Sequence, residues 1–114
     1  MPRVLVRHIE EPKIYSCATC ETHLCTEGRV HSREFHTQNG RGYLVENVIN
    51  VTNGPSNERT LRTGLHTCED VYCVKCSTMV GWEYKWAFEE EQKYKVGKFV
   101  LEEVKIAKYH WESD

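Results

Sequence analysis

Two Cys-x-x-Cys pairs are the strongest candidates for a chemical role in this chain: Cys17 with Cys20, and Cys73 with Cys76. Each pair places two sulfur atoms on one side of a tight turn, where both can reach one metal ion at about 2.3 Å. Two such turns complete a tetrahedral four-thiolate site, which suits Zn²⁺ and leaves no open position for a substrate water. We therefore predict one structural zinc ion with these four cysteines as its ligands.

The separation of the two pairs indicates what the zinc ion does. Between Cys20 and Cys73 lie 52 residues, so the intervening chain must fold as well. The ion is expected to hold two distant hairpin turns together rather than to organise a small zinc finger. Because the entropy of closing a loop grows slowly with its length, this spacing is thermodynamically reasonable.

Two other uses of the cysteines are less favoured. A disulfide framework requires an oxidising compartment, yet the N-terminal residues contain no apolar stretch long enough for a secretory signal. No apolar run approaches the roughly 20 residues of a membrane span, so no membrane association is expected. A redox Cys-x-x-Cys would explain one pair and leave the other a coincidence. We expect a reducing, intracellular location.

Cys25 and Cys68 stand outside the two pairs. A free cysteine is usually buried as a small hydrophobic residue. Neither thiol has in the sequence the electropositive flank that activates a cysteine. Cys68 lies close enough to Cys73 to replace one ligand, but the Cys-x-x-Cys geometry fits better.

Length and composition predict one globular domain over residues 1–114. Hydrophobic residues make up 39% of the chain and charged residues 28%, which is typical of a folded domain. A chain of this length buries about two-thirds of its unfolded surface. The formal net charge is −2, with Lys and Arg scattered among Glu. Since nucleic-acid-binding domains usually carry a basic patch, nucleic acid is not expected as a partner.

The secondary-structure pattern is mainly β. Runs of β-branched and aromatic residues predict strands at residues 14–15, 29–35, 43–45, 48–51, 59–62, 67–72 and 79–84. Turn-forming residues predict a turn at residues 52–57 and a loop at residues 38–42. The last strand, residues 99–106, is interrupted at residues 102–103, which indicates a bulge or a bend. Residues 86–94 are the one helix candidate, with an extended loop as an equal alternative.

Short motifs accompany the cysteine pairs in a fixed order along the chain. They are YSC at 15–17, THL at 22–24, GRGYL at 40–44, VINV at 48–51, TGLH at 63–66, DVYC at 70–73, VGWEY at 80–84 and QKYKVGKF at 92–99. In this order they resemble the Yippee family, and the resemblance extends over residues 15–104. It implies a β-tent-like fold, in which two antiparallel sheets meet at an angle and are pinned by one structural zinc ion. The implied relatives are the thalidomide-binding domain of cereblon, the Mis18 centromere proteins and the zinc-type methionine sulfoxide reductases.

One function that the resemblance implies is small-molecule binding of the cereblon type. Trp82 corresponds to a pocket tryptophan of that domain, and aromatic walls bind cyclic, planar or cationic groups. Two further tryptophans of the cereblon-type cage have no counterpart before the second cysteine pair, where His66 and Tyr72 are the available rings. We therefore expect a partial aromatic pocket around Trp82, with Tyr84 and His66. A core position under the zinc turn is the alternative for Trp82.

A second function among the implied relatives is methionine sulfoxide reduction. That chemistry needs a nucleophilic cysteine after the second zinc turn, and no cysteine follows Cys76. The sequence offers no other pair of nucleophile and base. The prediction is a non-catalytic protein.

The third function is that of an assembly adaptor. Members of the Yippee family are linked to the nucleus, the centrosome, cell-division structures and ubiquitin-ligase assemblies, so the resemblance implies protein partners of these kinds in the nucleus or cytoplasm. Residues 53–58 and 86–94 are candidate docking surfaces. Trp86 and Phe88 beside three glutamates have the form of an aromatic anchor within a charged rim, with packing of Trp86 back onto the sheet as the alternative. Together, these observations predict an intracellular zinc-binding β domain that binds another protein, with a partial pocket around Trp82.

Overall fold

Strands make up most of the computed structural model, which describes residues 5–109 and 111. Within these residues the strands are β1 (Ile14–Cys17), β2 (His23–Thr26), β3 (Val30–Thr37), β4 (Gly40–Val45), β5 (Val51–Leu61), β6 (Gly64–Cys73), β7 (Met79–Ala87), β8 (Phe99–Glu102) and β9 (Ile106–Tyr109). Short 3-10 helices occupy Glu27–Arg29, Glu90–Lys95 and Glu103–Lys105. The predicted mainly β class is confirmed. No helix in these residues has the length and apolar character needed to cross a membrane.

The strands form two antiparallel sheets in the described part of the chain. The smaller sheet has the order β2-β1-β9, and the larger has the order β3-β4-β8-β7-β6-β5. β8 belongs to the larger sheet and β9 to the smaller, with the 3-10 helix Glu103–Lys105 between them. The interruption predicted at residues 102–103 is therefore the place where the chain passes from one sheet to the other.

Apolar side chains pack into two groups on opposite faces of the larger sheet. The first group includes Val45 and Leu101 together with Tyr15 of the smaller sheet. The second includes Leu44 and Val100. Successive side chains of a strand point to opposite faces of a sheet. Leu44 and Val45 on β4, like Val100 and Leu101 on β8, therefore belong to different groups. The middle of the larger sheet is consequently buried on both sides.

The turn predicted at residues 52–57 is wrong, because these residues lie inside β5. β5 pairs with β6 along its length, with a bulge between Asn53 and Ser56 that takes up a Gly-Pro pair. Since β5 is an edge strand, proline can stand there without breaking the ladder of backbone hydrogen bonds. The Asn53 amide and the Ser56 hydroxyl donate to the Glu69 carboxylate on β6. The strand predicted at residues 48–51 is correct only for its last residue, where β5 begins.

Two other predicted elements differ in extent. The helix candidate at residues 86–94 is wrong over its first part, since β7 continues through its first two residues and Glu90–Lys95 is a 3-10 helix. The loop predicted at residues 38–42 is a two-residue hairpin turn, because Thr37 already pairs with Gly40. Gly40 has a φ of 121°, a conformation that side-chain-bearing residues rarely adopt.

Candidate metal centre and aromatic cavity

Four cysteine sulfur atoms converge at the junction of the two sheets. The Sγ atoms of Cys17, Cys20, Cys73 and Cys76 all lie within 4.8 Å of one another. The Cys17–Cys76 and Cys20–Cys73 Sγ distances are 3.6 and 3.5 Å, near the roughly 3.8 Å edge of a tetrahedron whose corners lie about 2.3 Å from a central zinc ion. All four are free thiols. The donor set and its geometry fit Zn²⁺.

Both cysteine pairs lie in hairpin turns of the same backbone shape. Cys17 ends β1 and Cys73 ends β6. In each turn the N–H of the first cysteine donates to the carbonyl five residues later, and the N–H four residues later donates back to the cysteine carbonyl, all at 2.8 Å. Glu21 and Ser77, each just after the second cysteine, have φ values of 65° and 63°. This left-handed step lets both sulfur atoms of a pair face the same point.

Hydrogen-bond donors around the sulfur atoms offset the cost of gathering negative charge. Burial raises the pKa of Cys17 to about 12, while the N–H groups of Cys20 and Thr19 lower it. Burial also raises the pKa of Cys76, but hydrogen bonds from the hydroxyl and N–H of Thr78, together with those of Cys17 and Cys20, outweigh burial and bring that pKa down to about 6. Donors of this kind favour the thiolate form, which is the form that binds a metal ion.

Two threonines that the sequence analysis overlooked support the cysteine cluster. Thr22 Oγ1 lies 3.0 Å from Cys20 Sγ, and Thr78 Oγ1 lies 3.1 Å from Cys76 Sγ. Thr78 Oγ1 also lies 3.3 Å from Thr19 Oγ1, which links the two turns. The sequence does contain a signal for them, because both turns have the pattern Cys-x-x-Cys-x-Thr.

Replacing Thr78 with valine is expected to weaken zinc binding about 10- to 100-fold, the usual effect of losing a group that supports a metal ligand. Valine keeps the shape of threonine but removes the hydroxyl beside Cys76 Sγ. Competition with a chromophoric chelator measures the affinity. Thr60→Val is the matched control, because Thr60 is exposed and pairs near the end of β6 that lies away from Cys73. Identical affinities for the Thr78 variant and the unmodified protein would contradict this role.

The two remaining cysteines are buried apart from the cluster. Cys25 is 1% exposed in the first apolar group, and burial raises its pKa to about 12. Cys68 is fully buried in the second group. Burial raises its pKa as well, although the nearby cations of Arg59 and Lys95 lower it. These two cations come from residues distant in sequence, and the pKa of Cys68 is still raised overall, with Asp70 adding to the effect of burial, so Cys68 is not an activated thiol.

A cavity of about 660 Å³ lies beside the second apolar group, with aromatic walls that include Phe35, Trp82, Tyr84 and Tyr94. Trp82 packs against this second group, whereas the cysteine cluster lies in the first, so Trp82 does not lie under the zinc turn. Of the three residues predicted for a partial pocket, Trp82 and Tyr84 line this cavity and His66 is not among its described lining residues. His66 is fully buried, with 5.2 Å between its ring centre and that of Tyr84.

Trp86 and Phe88 lie outside this cavity, at the end of β7. Trp86 is 43% exposed and Phe88 is 61% exposed. Their rings meet edge to face with 6.0 Å between centres. The Phe88 N–H donates to the Leu65 carbonyl on β6 at 3.0 Å, which fixes the chain at this point. Of the five aromatic residues singled out in the sequence, Trp82 and Tyr84 belong to the cavity, Trp86 and Phe88 belong to a separate exposed surface, and His66 is buried.

Lys95 belongs to the cavity wall, and the sequence analysis missed it. It ends the 3-10 helix Glu90–Lys95 and is only 3% exposed. Its Nζ donates to Thr63 Oγ1 at 2.9 Å and lies 5.3 Å from the ring centres of both Phe35 and Tyr84. Burial lowers the pKa of Lys95, because the charged form loses water. No sequence signal separates it from the lysines on either side.

The sequence matches a family model and is similar to named relatives in other organisms. A family model described as "Yippee zinc-binding/DNA-binding /Mis18, centromere assembly" matches residues 13–114. A yippee-like protein of Solanum tuberosum is 46% identical over 107 residues, covering 90% of this chain and 83% of that protein. Yippee-like protein 3 of Bos taurus is 48% identical over 88 residues, covering 77% of this chain and 74% of that protein.

A solved structure has the same fold. The crystal structure of a Mis18 "Yippee-like" domain superposes with a TM-score of 0.69 and covers 90% of this chain and 100% of that domain. The sequence identity between the two is 13%, so this likeness concerns the fold alone.

Proposed function

The chain belongs to the Yippee–Mis18 family, and from that premise we propose that it is a non-catalytic, zinc-stabilised domain that binds another protein in the nucleus or cytoplasm. The observation that carries the interaction is the exposed pair of Trp86 and Phe88 at the end of β7. Protein complexes of the ubiquitin-ligase or cell-division kind are the partners we expect. The Mis18 likeness supports this proposal only through the shared fold.

Cys17, Cys20, Cys73 and Cys76 are the proposed ligands of one zinc ion. Bound zinc would supply a cross-link and no catalysis, because four thiolates fill a tetrahedral shell. The first cysteine pair follows β1 of the smaller sheet, and the second follows β6 of the larger sheet. The cluster is therefore placed to hold the two sheets together.

The Trp86–Phe88 pair has the properties of an interaction anchor. Aromatic residues contribute much of the binding energy of protein interfaces, usually from the centre of a polar or charged rim. Here the two rings are preordered by their edge-to-face contact, and three glutamates follow them directly. A rigid anchor loses little conformational entropy when a partner binds.

The environments of the cysteines support a non-catalytic protein. A nucleophilic cysteine needs to be accessible and to have a lowered pKa. Cys25 and Cys68 are buried, and burial raises the pKa of both. The four clustered cysteines are the proposed zinc ligands.

Affinity capture from a cell extract tests the protein-binding proposal. A variant carrying Trp86→Ala and Phe88→Ala is expected to lose at least one protein that the unmodified domain enriches, as identified by mass spectrometry. Val104→Ala is the matched control, because Val104 is 58% exposed but follows β8 in the 3-10 helix Glu103–Lys105. Circular dichroism and zinc content establish that each variant is folded.

The outcome is decisive in either direction. Enrichment that disappears with the double variant and persists with the control supports the adaptor. Equal capture of the same proteins by the unmodified domain, the double variant and the Val104→Ala control would contradict an anchor at Trp86 and Phe88. A nuclease-treated extract runs in parallel, because the family description includes DNA binding. Signals that vanish on nuclease treatment would indicate nucleic acid instead.

Small-molecule binding is the second candidate function, and the cavity beside Trp82 is the observation that favours it. Its volume of about 660 Å³ lies within the range of about 300–1,000 Å³ that ligand sites usually have. Apolar and aromatic walls with a few polar groups are also typical of such sites.

A further inference from the structure

The cavity beside Trp82 contains a positive charge with few partners. The Lys95 ammonium has three N–H donors, and among the described residues its side chain makes one hydrogen bond, to Thr63 Oγ1. Within residues 5–109 and 111, Lys95 forms no ion pair with a carboxylate. A buried charge without a counter-ion is costly. An anion entering the cavity would therefore be stabilised by Lys95.

Lys95 also occupies the aromatic faces that could otherwise bind a cation. Its Nζ lies 5.3 Å from the ring centres of Phe35 and Tyr84, which is a cation–π arrangement. A second cation at these rings would be repelled by the ammonium. Among the ligands that aromatic walls accept, the cationic class is thus disfavoured here.

The other charged groups of the cavity add to the positive field. Arg59 and Arg62 line it, and Glu34 is the one carboxylate among its described lining residues. Arg59 is already paired with Asp70 at 2.6 Å. Arg62 is exposed and has no ion pair in the described part of the chain, so its charge is available to a ligand.

Two buried polar atoms of the lining residues lack hydrogen-bond partners among residues 5–109 and 111. They are the donor Trp82 Nε1 and the acceptor Gln92 Oε1. The Trp82 N–H also faces the Tyr84 hydroxyl, whose pKa it lowers, so the Gln92 acceptor is the atom left for an N–H group of a ligand. Phe35 and Leu61 add apolar walls to the cavity, which suit a hydrophobic side chain of a ligand.

We propose that this cavity binds a carboxylate carried on an apolar body with a neighbouring N–H group. An N-acylated hydrophobic amino acid has this chemistry, and so does the last residue of a polypeptide. Lys95 and Arg62 pair with the carboxylate, Gln92 accepts from the N–H, and the apolar side chain lies against Phe35. The inference rests on the binding function proposed above but uses residues other than Trp86 and Phe88.

Direct titration of the zinc-loaded protein tests the proposal. The probes are N-acetyl-phenylalanine, its neutral amide, and one short peptide ending in phenylalanine with either a free or an amidated terminus. Calorimetry gives the affinity, and the indole N–H signal of Trp82 in an NMR spectrum reports the place of binding. The free acids should bind at least about tenfold more tightly than the amides, a difference of about 1.4 kcal/mol.

The two carboxylate probes distinguish the sources of the ligand. A free-acid peptide that binds more tightly than N-acetyl-phenylalanine identifies a polypeptide terminus. Equal affinities identify the terminal residue alone as sufficient. Both results support the recognition of a carboxylate carried on an apolar body.

Lys95→Met should abolish the preference for acid over amide, because methionine keeps a long apolar side chain without the charge. Lys93→Met is the matched control, since Lys93 lies on the same 3-10 helix, is exposed and pairs with Glu90 at 3.0 Å. It should bind as the unmodified protein does. If Lys95→Met does not fold, Arg62→Gln replaces it as the test variant, because Arg62 is exposed. Arg62→Gln should weaken binding of the free-acid probes but not of the amide probes.

Equal affinities of the unmodified protein for acid and amide would overturn the proposal. So would the absence of any shift in the Trp82 signal at millimolar probe. The capture experiment tests the protein-binding proposal independently of this ligand proposal, because its variants leave every residue of the cavity unchanged.

Discussion

Replacing Cys17 with serine is expected to unfold the domain and to abolish its zinc binding. A structural zinc ion contributes about 10–16 kcal/mol of apparent binding free energy in small zinc-binding peptides, whereas a whole domain is stable by only about 5–15 kcal/mol. Cys17 ends β1 of the smaller sheet, so removing this proposed zinc ligand should release that sheet from the larger one. Near-UV circular dichroism and the zinc-to-protein ratio measure the two losses.

Cys25→Ala is the control for this experiment. Cys25 is as buried as Cys17 but lies outside the four-sulfur cluster. It should retain one zinc ion per chain and lose about 1 kcal/mol of stability, the usual cost of a point substitution. Adding a strong chelator to the unmodified protein should reproduce the Cys17→Ser spectrum. A Cys17→Ser protein with unchanged melting temperature and zinc content would refute the ligand assignment.

Gly81→Ala is expected to destabilise the domain by about 3 kcal/mol or more, at the upper end of what overpacking a core costs. A Cβ at this position would lie 1.8 Å from the Val100 carbonyl oxygen and 3.0 Å from Leu101 Cα. Both contacts are with the backbone of β8, which pairs with β7 at this position. The two strands would have to separate at the centre of the larger sheet. Urea denaturation of the zinc-loaded protein measures the loss.

Gly28→Ala provides the matched comparison. No described atom lies within 4 Å of a Cβ built at Gly28, apart from its chain neighbours. The substitution should therefore change the free energy of unfolding by no more than about 0.5 kcal/mol. If Gly81→Ala also stayed within that range, the close approach of β7 and β8 would not limit stability.

The cysteine cluster was predictable because its signal is local. A Cys-x-x-Cys turn fixes the relative position of two sulfur atoms within four residues, whatever the rest of the chain does. Thr22 and Thr78 could have been found in the same way, since both occupy the same place in their turns. The mainly β class was predictable for a related reason, because β-branched and aromatic residues favour the extended backbone strand by strand.

The family resemblance implied a partial pocket with Trp82 and Tyr84, but the other walls of the cavity were not predictable, because they come from distant parts of the chain. Phe35 lies on β3, Trp82 and Tyr84 on β7, and Lys95 ends a 3-10 helix. A lysine in a polar stretch is usually exposed, so burial of Lys95 requires knowing what packs over it. The turn predicted at residues 52–57 failed for the opposite reason, since hydrogen bonds to Glu69 on β6 override the local preference for a turn.

Local sequence patterns were sufficient to predict the strand-rich class, the family resemblance and the four clustered cysteines. The face of the larger sheet that each side chain occupies could be read only from the folded structure. Bulges in the pairing of β6 with β7, between Thr67 and Cys68 and between Val71 and Tyr72, shift the register, and a shift of one residue moves a side chain to the other face. The sheet face that a side chain occupies depends on the register accumulated across neighbouring strands. The geometry of a metal-binding turn depends only on its own few residues.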